Sequence, residues 1–109
     1  MKDILARLES FDMSHGWDRY NRVENDTERL VFLQDEILHI LGELGELANE
    51  VKKQKRKGVY DKSPLEEEAT DVFIFLLKLM KTLDMEPKES FMRKMDINDI
   101  RFIDFKNKK

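Results

Sequence analysis

Between Leu30 and Val51 the apolar residues recur at helical spacing for more than five turns, and no proline interrupts them. Leu30, Leu33, Ile37, Ile40, Leu41, Leu44, Leu47, Ala48 and Val51 share an arc about 120° wide when each residue advances about 100°. A run of that length with one greasy side predicts a long amphipathic helix, from an N-cap at Asp26 or Thr27 to about Arg56. Gly58 is the expected stop, after a basic stretch that suits a helix C-terminus. Lys52 to Lys62 holds six Lys/Arg among eleven residues. That patch reads first as favourable end charge followed by a solvated loop, and second as a place to steer phosphate.

The next segment, Ser63-Pro64-Leu65-Glu66, has the chemistry of a helix start, with Ser63 as N-cap, Pro64 at the first helical position and Glu66 closing a capping box. The helix is expected to reach about Leu83. Leu65, Ala69, Val72, Leu76, Leu79, Met80 and Leu83 form its main stripe, while Phe73, Ile74, Phe75 and Leu77 extend the apolar surface around it. A helix apolar nearly all round has to be covered, and 109 residues supply few covers. The expectation is a homodimer or homotetramer packed through this helix. Two shorter helices frame the pair. Met1 to about Phe11 carries Ile4, Leu5, Leu8 and Phe11, and a helix starting at Pro87 carries Phe91, Met92 and Met95. Asp12 to Asn25 has no clear pattern. Asp96 to Lys109, with Ile97, Ile100, Phe102, Ile103 and Phe105, is expected to fold back on the bundle. The reading is therefore all-α, a single domain over 1–109 of four to five helices.

Composition narrows the classes. Four glycines and two prolines argue against a many-stranded β fold, and the absence of cysteine excludes disulfides and zinc–thiolate sites. A net charge of −3 argues against general nucleic-acid binding. No apolar run approaches membrane-spanning length and no signal-peptide pattern opens the chain, so the expectation is a cytoplasmic protein without a membrane role.

The chemistry sits in four acids. Glu43 and Glu46 are three apart, as are Glu68 and Asp71, and residues so spaced share a helix face. Two crossing helices can aim all four carboxylates into one space, where mutual repulsion shifts their pKa values. Glu68 is the informative one, because its projection falls between Phe75 and Leu79, inside the apolar stripe. A carboxylate aimed at a core needs a proton, a basic partner or a metal. Lys78, a projection neighbour of Asp71, is the basic candidate. A hard oxygen-seeking cation, Mg²⁺ with Mn²⁺ as a substitute, is the other.

Together these stretches resemble the MazG-like superfamily of all-α nucleoside triphosphate pyrophosphohydrolases. Glu43-Leu44-Gly45-Glu46 is similar to the family's E-x-x-E, in a G-E-L-A context. Glu68-Ala69-Thr70-Asp71 is similar to its E-x-x-D, followed by the apolar V-F-I-F-L-L. Lys94 to Phe102 resembles its K-x-x-x-N-x-x-R/K segment. The likeness spans Leu30 to Phe102. It implies the bundle of that family, completed by oligomerisation, and a housecleaning reaction of a (d)NTP with water to (d)NMP and pyrophosphate. It implies that Glu43, Glu46, Glu68 and Asp71 hold Mg²⁺ and carry catalysis. Lys94, Asn98 and Arg101 would hold the nucleotide, with Lys53 as a further phosphate ligand and Trp17 or Tyr20 stacking on the base. One departure stands out. Gly42 occupies the place of the family's leading Glu, a position tied to activating the attacking water, and Glu67 or His39 are the available substitutes. The other readings are a non-catalytic helical oligomer that binds nucleotide or a protein partner, and a small nucleic-acid binder using the Lys52–Lys62 patch.

Overall fold

In the computed structural model, residues 1–104 are described, and every regular element among them is helical. Helix α1 spans Lys2–His15, a 3-10 turn spans Arg19–Arg22, α2 spans Asp26–Lys57, α3 spans Lys62–Thr82 and α4 spans Pro87–Arg101.

The helix boundaries follow local chemistry, with some corrections. Asn25, not Asp26 or Thr27, caps α2, its side chain accepting from the Glu28 N–H at 2.8 Å. At α3 the cap is Asp61 rather than Ser63, so Pro64 falls two residues later than expected and the Ser63–Glu66 box does not form. Glu66 pairs with Lys62 at 3.5 Å instead. Pro64 is tolerated there because the first four helical N–H groups have no helix partner in any case. The reason Asp61 caps is the loop itself. The Gln54 side chain accepts from the Asp61 N–H at 2.8 Å and donates to the Asp61 carbonyl at 2.9 Å. Gly58, at φ 71°, ends α2 by donating its N–H to the Gln54 carbonyl at 2.8 Å. Helix α1 runs one turn beyond Phe11 because the first residue suited to a left-handed stop is Gly16, at φ 70°.

The tight loop makes α2 and α3 an antiparallel pair. Gln54 meets Asp61, Glu43 meets Glu68 and Asp71, and Glu36 meets Thr82. Leu77, 2% exposed, is the centre of the small core, with Leu8 and Tyr20 as the other buried apolar side chains. Polar ties fix α1 and the 3-10 turn to this pair. Tyr20 donates to Asp12 Oδ2 at 2.6 Å, Lys78 Nζ lies 3.2 Å from Asp12 Oδ1, and Lys81 binds Glu9 at 2.7 Å. Arg29 donates to the Thr82 carbonyl.

The expectation that Asp96 onward folds back on the bundle is corrected. The chain stays helical to Arg101, and Ile97, Ile100, Phe102 and Ile103 are exposed. Helix α4 starts cleanly, with Pro87 at its first position and Glu86 accepting from the Glu89 N–H. Its apolar residues are too interspersed with charge to form one stripe that α2 and α3 could bury. Phe105 lies outside the described residues. No helix among those described is long and apolar enough to cross a membrane.

Candidate metal centre

Each acid pair owes its direction to helix periodicity, and the antiparallel crossing brings the pairs together. Glu43 on α2 and Glu68 and Asp71 on α3 each offer a carboxylate oxygen, all within 4.8 Å of one another. Glu43 and Glu68 are half-buried, while Asp71 is exposed. Glu46 lies outside that tight group and is exposed, yet it acts electrostatically on both half-buried members.

Burial, and after it the charges of Glu46 and Asp71, push the Glu43 carboxyl above its ordinary value. Burial first and then Glu46 do the same to Glu68. The Oε2 atoms of Glu43 and Glu68 are both shielded from solvent without a hydrogen-bond donor. Desolvated carboxylate oxygens without donors are costly, and convergence makes them costlier. Among the described residues no Lys or Arg forms an ion pair with any of the four acids. The basic alternative from the sequence fails because Lys78 is held by Asp12 on α1.

Glu43 and Glu46 line one cleft and Asp71 lines another. The larger, about 840 Å³, is lined by Trp17, Arg19, His39, Gly42, Glu43, Glu46, Phe75 and Lys78, among others. The second, about 820 Å³, is lined by Asp61, Lys62, Ser63, Glu66, Glu67, Thr70 and Asp71. In the larger cleft the His39 and Phe75 rings stack at 5.2 Å, and the Lys78 ammonium sits 5.6 Å from the Trp17 ring and 5.5 Å from Phe75.

Of the expected nucleotide contacts, Trp17 reaches the site. It is 55% exposed at the cleft wall and stacks on His15 at 4.9 Å. Tyr20 also lines the cleft, but it is buried and its hydroxyl is committed to Asp12, so it does not offer a free face for a base. Glu67 faces the second cleft and His39 the first. Lys53, Lys94, Asn98 and Arg101 line neither. Arg101 packs over the Phe102 ring at 5.1 Å.

The cleft residues beyond the expected site include Glu36, Phe75 and Lys78. Glu36 is buried beside Thr82, whose hydroxyl donates to Oε2 at 2.7 Å, and burial raises its pKa. The available signal was its position, seven residues before Glu43 on the same edge of α2. Lys78 was legible only as a basic partner for the acids, and its place in the cleft depends on Asp12 of α1. Comparison with family models, with curated proteins and with solved structures yields no match.

Proposed function

We propose that this chain is a divalent-cation-dependent nucleoside triphosphate pyrophosphohydrolase, releasing nucleoside monophosphate and pyrophosphate. The observation that carries the reading is the convergence of Glu43, Glu68 and Asp71 around two buried carboxylate oxygens that lack donors. Such a donor set suits a hard cation of the Mg²⁺ or Mn²⁺ kind, which takes oxygen ligands. Glu43, Glu68 and Asp71 would hold it, with Glu46 close enough to add a ligand or orient a water. The cation would supply charge neutralisation at the phosphates and acidify a water.

The remaining work falls to the chain. Trp17 and the Phe75–His39 stack give the larger cleft flat apolar walls of the kind that accept a nucleobase. Lys78 places a cation between those walls, paired with Asp12 rather than with the acids. His39 sits one turn before Glu43 in the same cleft and can take a proton from water at the position that Gly42 leaves without a carboxylate. The part of Lys94, Asn98 and Arg101 is tested by substitution, since none of them reaches either cleft within the single chain.

The experiment is a panel of NTPs and dNTPs with Mg²⁺, read for monophosphate and pyrophosphate. Diphosphate and inorganic phosphate would contradict the mechanism. The second reading, a non-catalytic oligomer that binds nucleotide or protein, draws on Gly42. Nucleotide binding without turnover at any Mg²⁺ or Mn²⁺ concentration would favour it.

A further inference from the structure

The larger cleft holds a carboxyl that does not belong to the acid cluster. Glu36 lines this cleft, yet the residue is only 6% exposed. Its Oε2 accepts from the Thr82 hydroxyl at 2.7 Å, and Thr82 is itself fully buried. That bond ties one oxygen of the group to α3. The other, Oε1, is shielded from bulk solvent and has no donor. A buried carboxyl oxygen in that state is costly, and whatever brings it a donor removes the cost.

The donors around the cleft are engaged elsewhere. Arg19 gives Nη1 to Asp35 at 3.1 Å and Nη2 to the Phe32 carbonyl at 3.2 Å. The Tyr20 hydroxyl donates to Asp12, and the Lys78 ammonium pairs with the same carboxylate. Burial works against the charged form of Glu36, while the Thr82 bond and the Arg19 and Lys78 charges work for it. As a carboxylate it can only accept, so the missing partner is an N–H or O–H carried by whatever occupies the cleft. Glu36 stands seven residues before Glu43, which sets the two about 20° apart round α2 and about 10 Å apart along it. The acid cluster and Glu36 thus mark two points of one cleft, separated by a span that a sugar and a base can bridge. His39, three residues after Glu36, shares its side of the helix and stacks on Phe75.

We propose that Glu36 determines specificity by selecting nucleotides whose base carries an exocyclic amino group, with Oε1 accepting from that amino N–H. The inference rests on the nucleotide reading above and names the class of base. Cytosine and adenine carry an amino group where uracil and hypoxanthine carry a carbonyl oxygen. A carbonyl there meets Oε1 acceptor to acceptor, and both oxygens stay unpaired in a desolvated site. A site built around a hydrogen bond rejects the analogue that lacks it more strongly than an apolar wall rejects a misfit. The flat walls of Trp17 and the His39–Phe75 stack take any base, so the choice among bases falls to the edge that Glu36 meets.

The test is the affinity of the full chain for CTP against UTP and for ATP against ITP, by calorimetric titration with Ca²⁺ in place of Mg²⁺ to hold back hydrolysis. In the pair that binds more tightly, the amino nucleotide should bind about tenfold or more tighter, as expected for a hydrogen bond to a charged group. Glu36→Met keeps the length of the side chain, removes the acceptor and leaves the Thr82 hydroxyl the Lys78 carbonyl at 3.2 Å. It should bring the two members of the pair to about equal affinity. A Glu36 with only a structural role would change the melting temperature and leave that ratio alone. Equal affinities in wild type, the result if a water alone satisfies Oε1, overturn the proposal. So do a preference for the carbonyl base, a preference that survives in Glu36→Met, and a failure of all four nucleotides to bind. If Glu36→Met does not fold, Glu36→Gln decides, because its carboxamide offers a donor as well as an acceptor and should narrow the preference. Base preference without turnover refutes only the hydrolase reading, and turnover without base preference refutes only the part given to Glu36.

Discussion

Lys78 Nζ lies 3.2 Å from Asp12 Oδ1, on a carboxylate that is 0% exposed. This pair joins α1 to α3 and takes from the acid cluster the lysine nearest to it on the helical projection. Lys78→Ala would leave Asp12 buried with Tyr20 as its remaining donor. Losing one partner of a buried pair costs about 3–5 kcal/mol, and the surviving Tyr20 bond puts this case near about 3. Urea unfolding measures it. Tyr20→Phe should cost less, about 1–2 kcal/mol, because Lys78 still compensates the charge.

Glu68→Gln separates the two parts of the metal hypothesis. Replacing one converging carboxyl by an amide should raise the melting temperature of the metal-free protein at neutral pH, since burial and the Glu46 charge both oppose the charged form of Glu68. The same change should abolish turnover and the stabilisation given by added Mg²⁺. A variant that melts lower than wild type without metal would show that Glu68 has a stabilising partner.

The pH dependence of stability has a definite sign. Glu36, Glu43 and Glu68 all have pKa values raised above the ordinary 4.5 in the folded state, with burial as the largest cause. The native state then binds more protons than the unfolded chain. The contribution of these groups is fully present below pH 4.5 and is lost as pH rises through their folded-state values. Asp3 and Asp18 are shifted downward, and their opposite effect is confined to pH below the ordinary 3.8. Metal-free protein should therefore melt higher at pH 4.5 than at pH 7.5. Saturating Mg²⁺ should shrink that difference, and EDTA should restore it, in thermal scans across the range.

Trp17 is the sole tryptophan and stands at the cleft wall. A nucleotide with Ca²⁺ in place of Mg²⁺ should quench its fluorescence. Trp17→Ala should raise KM more than it lowers kcat. Base–aromatic stacking is worth about 1–3 kcal/mol, so the rise should be about fivefold or greater. An unchanged KM would place the base elsewhere.

Gly42→Glu tests the proposed water-activating position next to Glu43. No atom of its own chain within 4 Å opposes a side chain there, and Glu is the better helix former. The variant should fold and show a higher kcat with Mg²⁺. A lower kcat at unchanged mass would favour His39 as the water-activating group.

Most of the helical plan could be read from periodicity and punctuation. The nine-residue arc of α2, Gly58 and Pro87 each mark a feature set by residues within a turn or two. The inward tilt of Glu68 was also readable, because its neighbours on the projection belong to the same helix. The caps slipped where a distant side chain intervened, as when Gln54 set the geometry of Asp61. The stretch Asp12–Asn25 was opaque for the same reason: Asp12 and Tyr20 are explained by Lys78, more than fifty residues away.

What the sequence determined by itself was the set of helices and the face on which each acid stands, since both follow from a repeat of 3.6 residues. The tertiary structure decided which faces meet. The antiparallel crossing of α2 and α3 gathers Glu43, Glu68 and Asp71 within 4.8 Å. Helix α1 captures Lys78, and α2 is left with an uncovered apolar side. Local spacing fixes the direction of a side chain relative to its own helix axis, but a partner on another helix is set by packing over the whole chain.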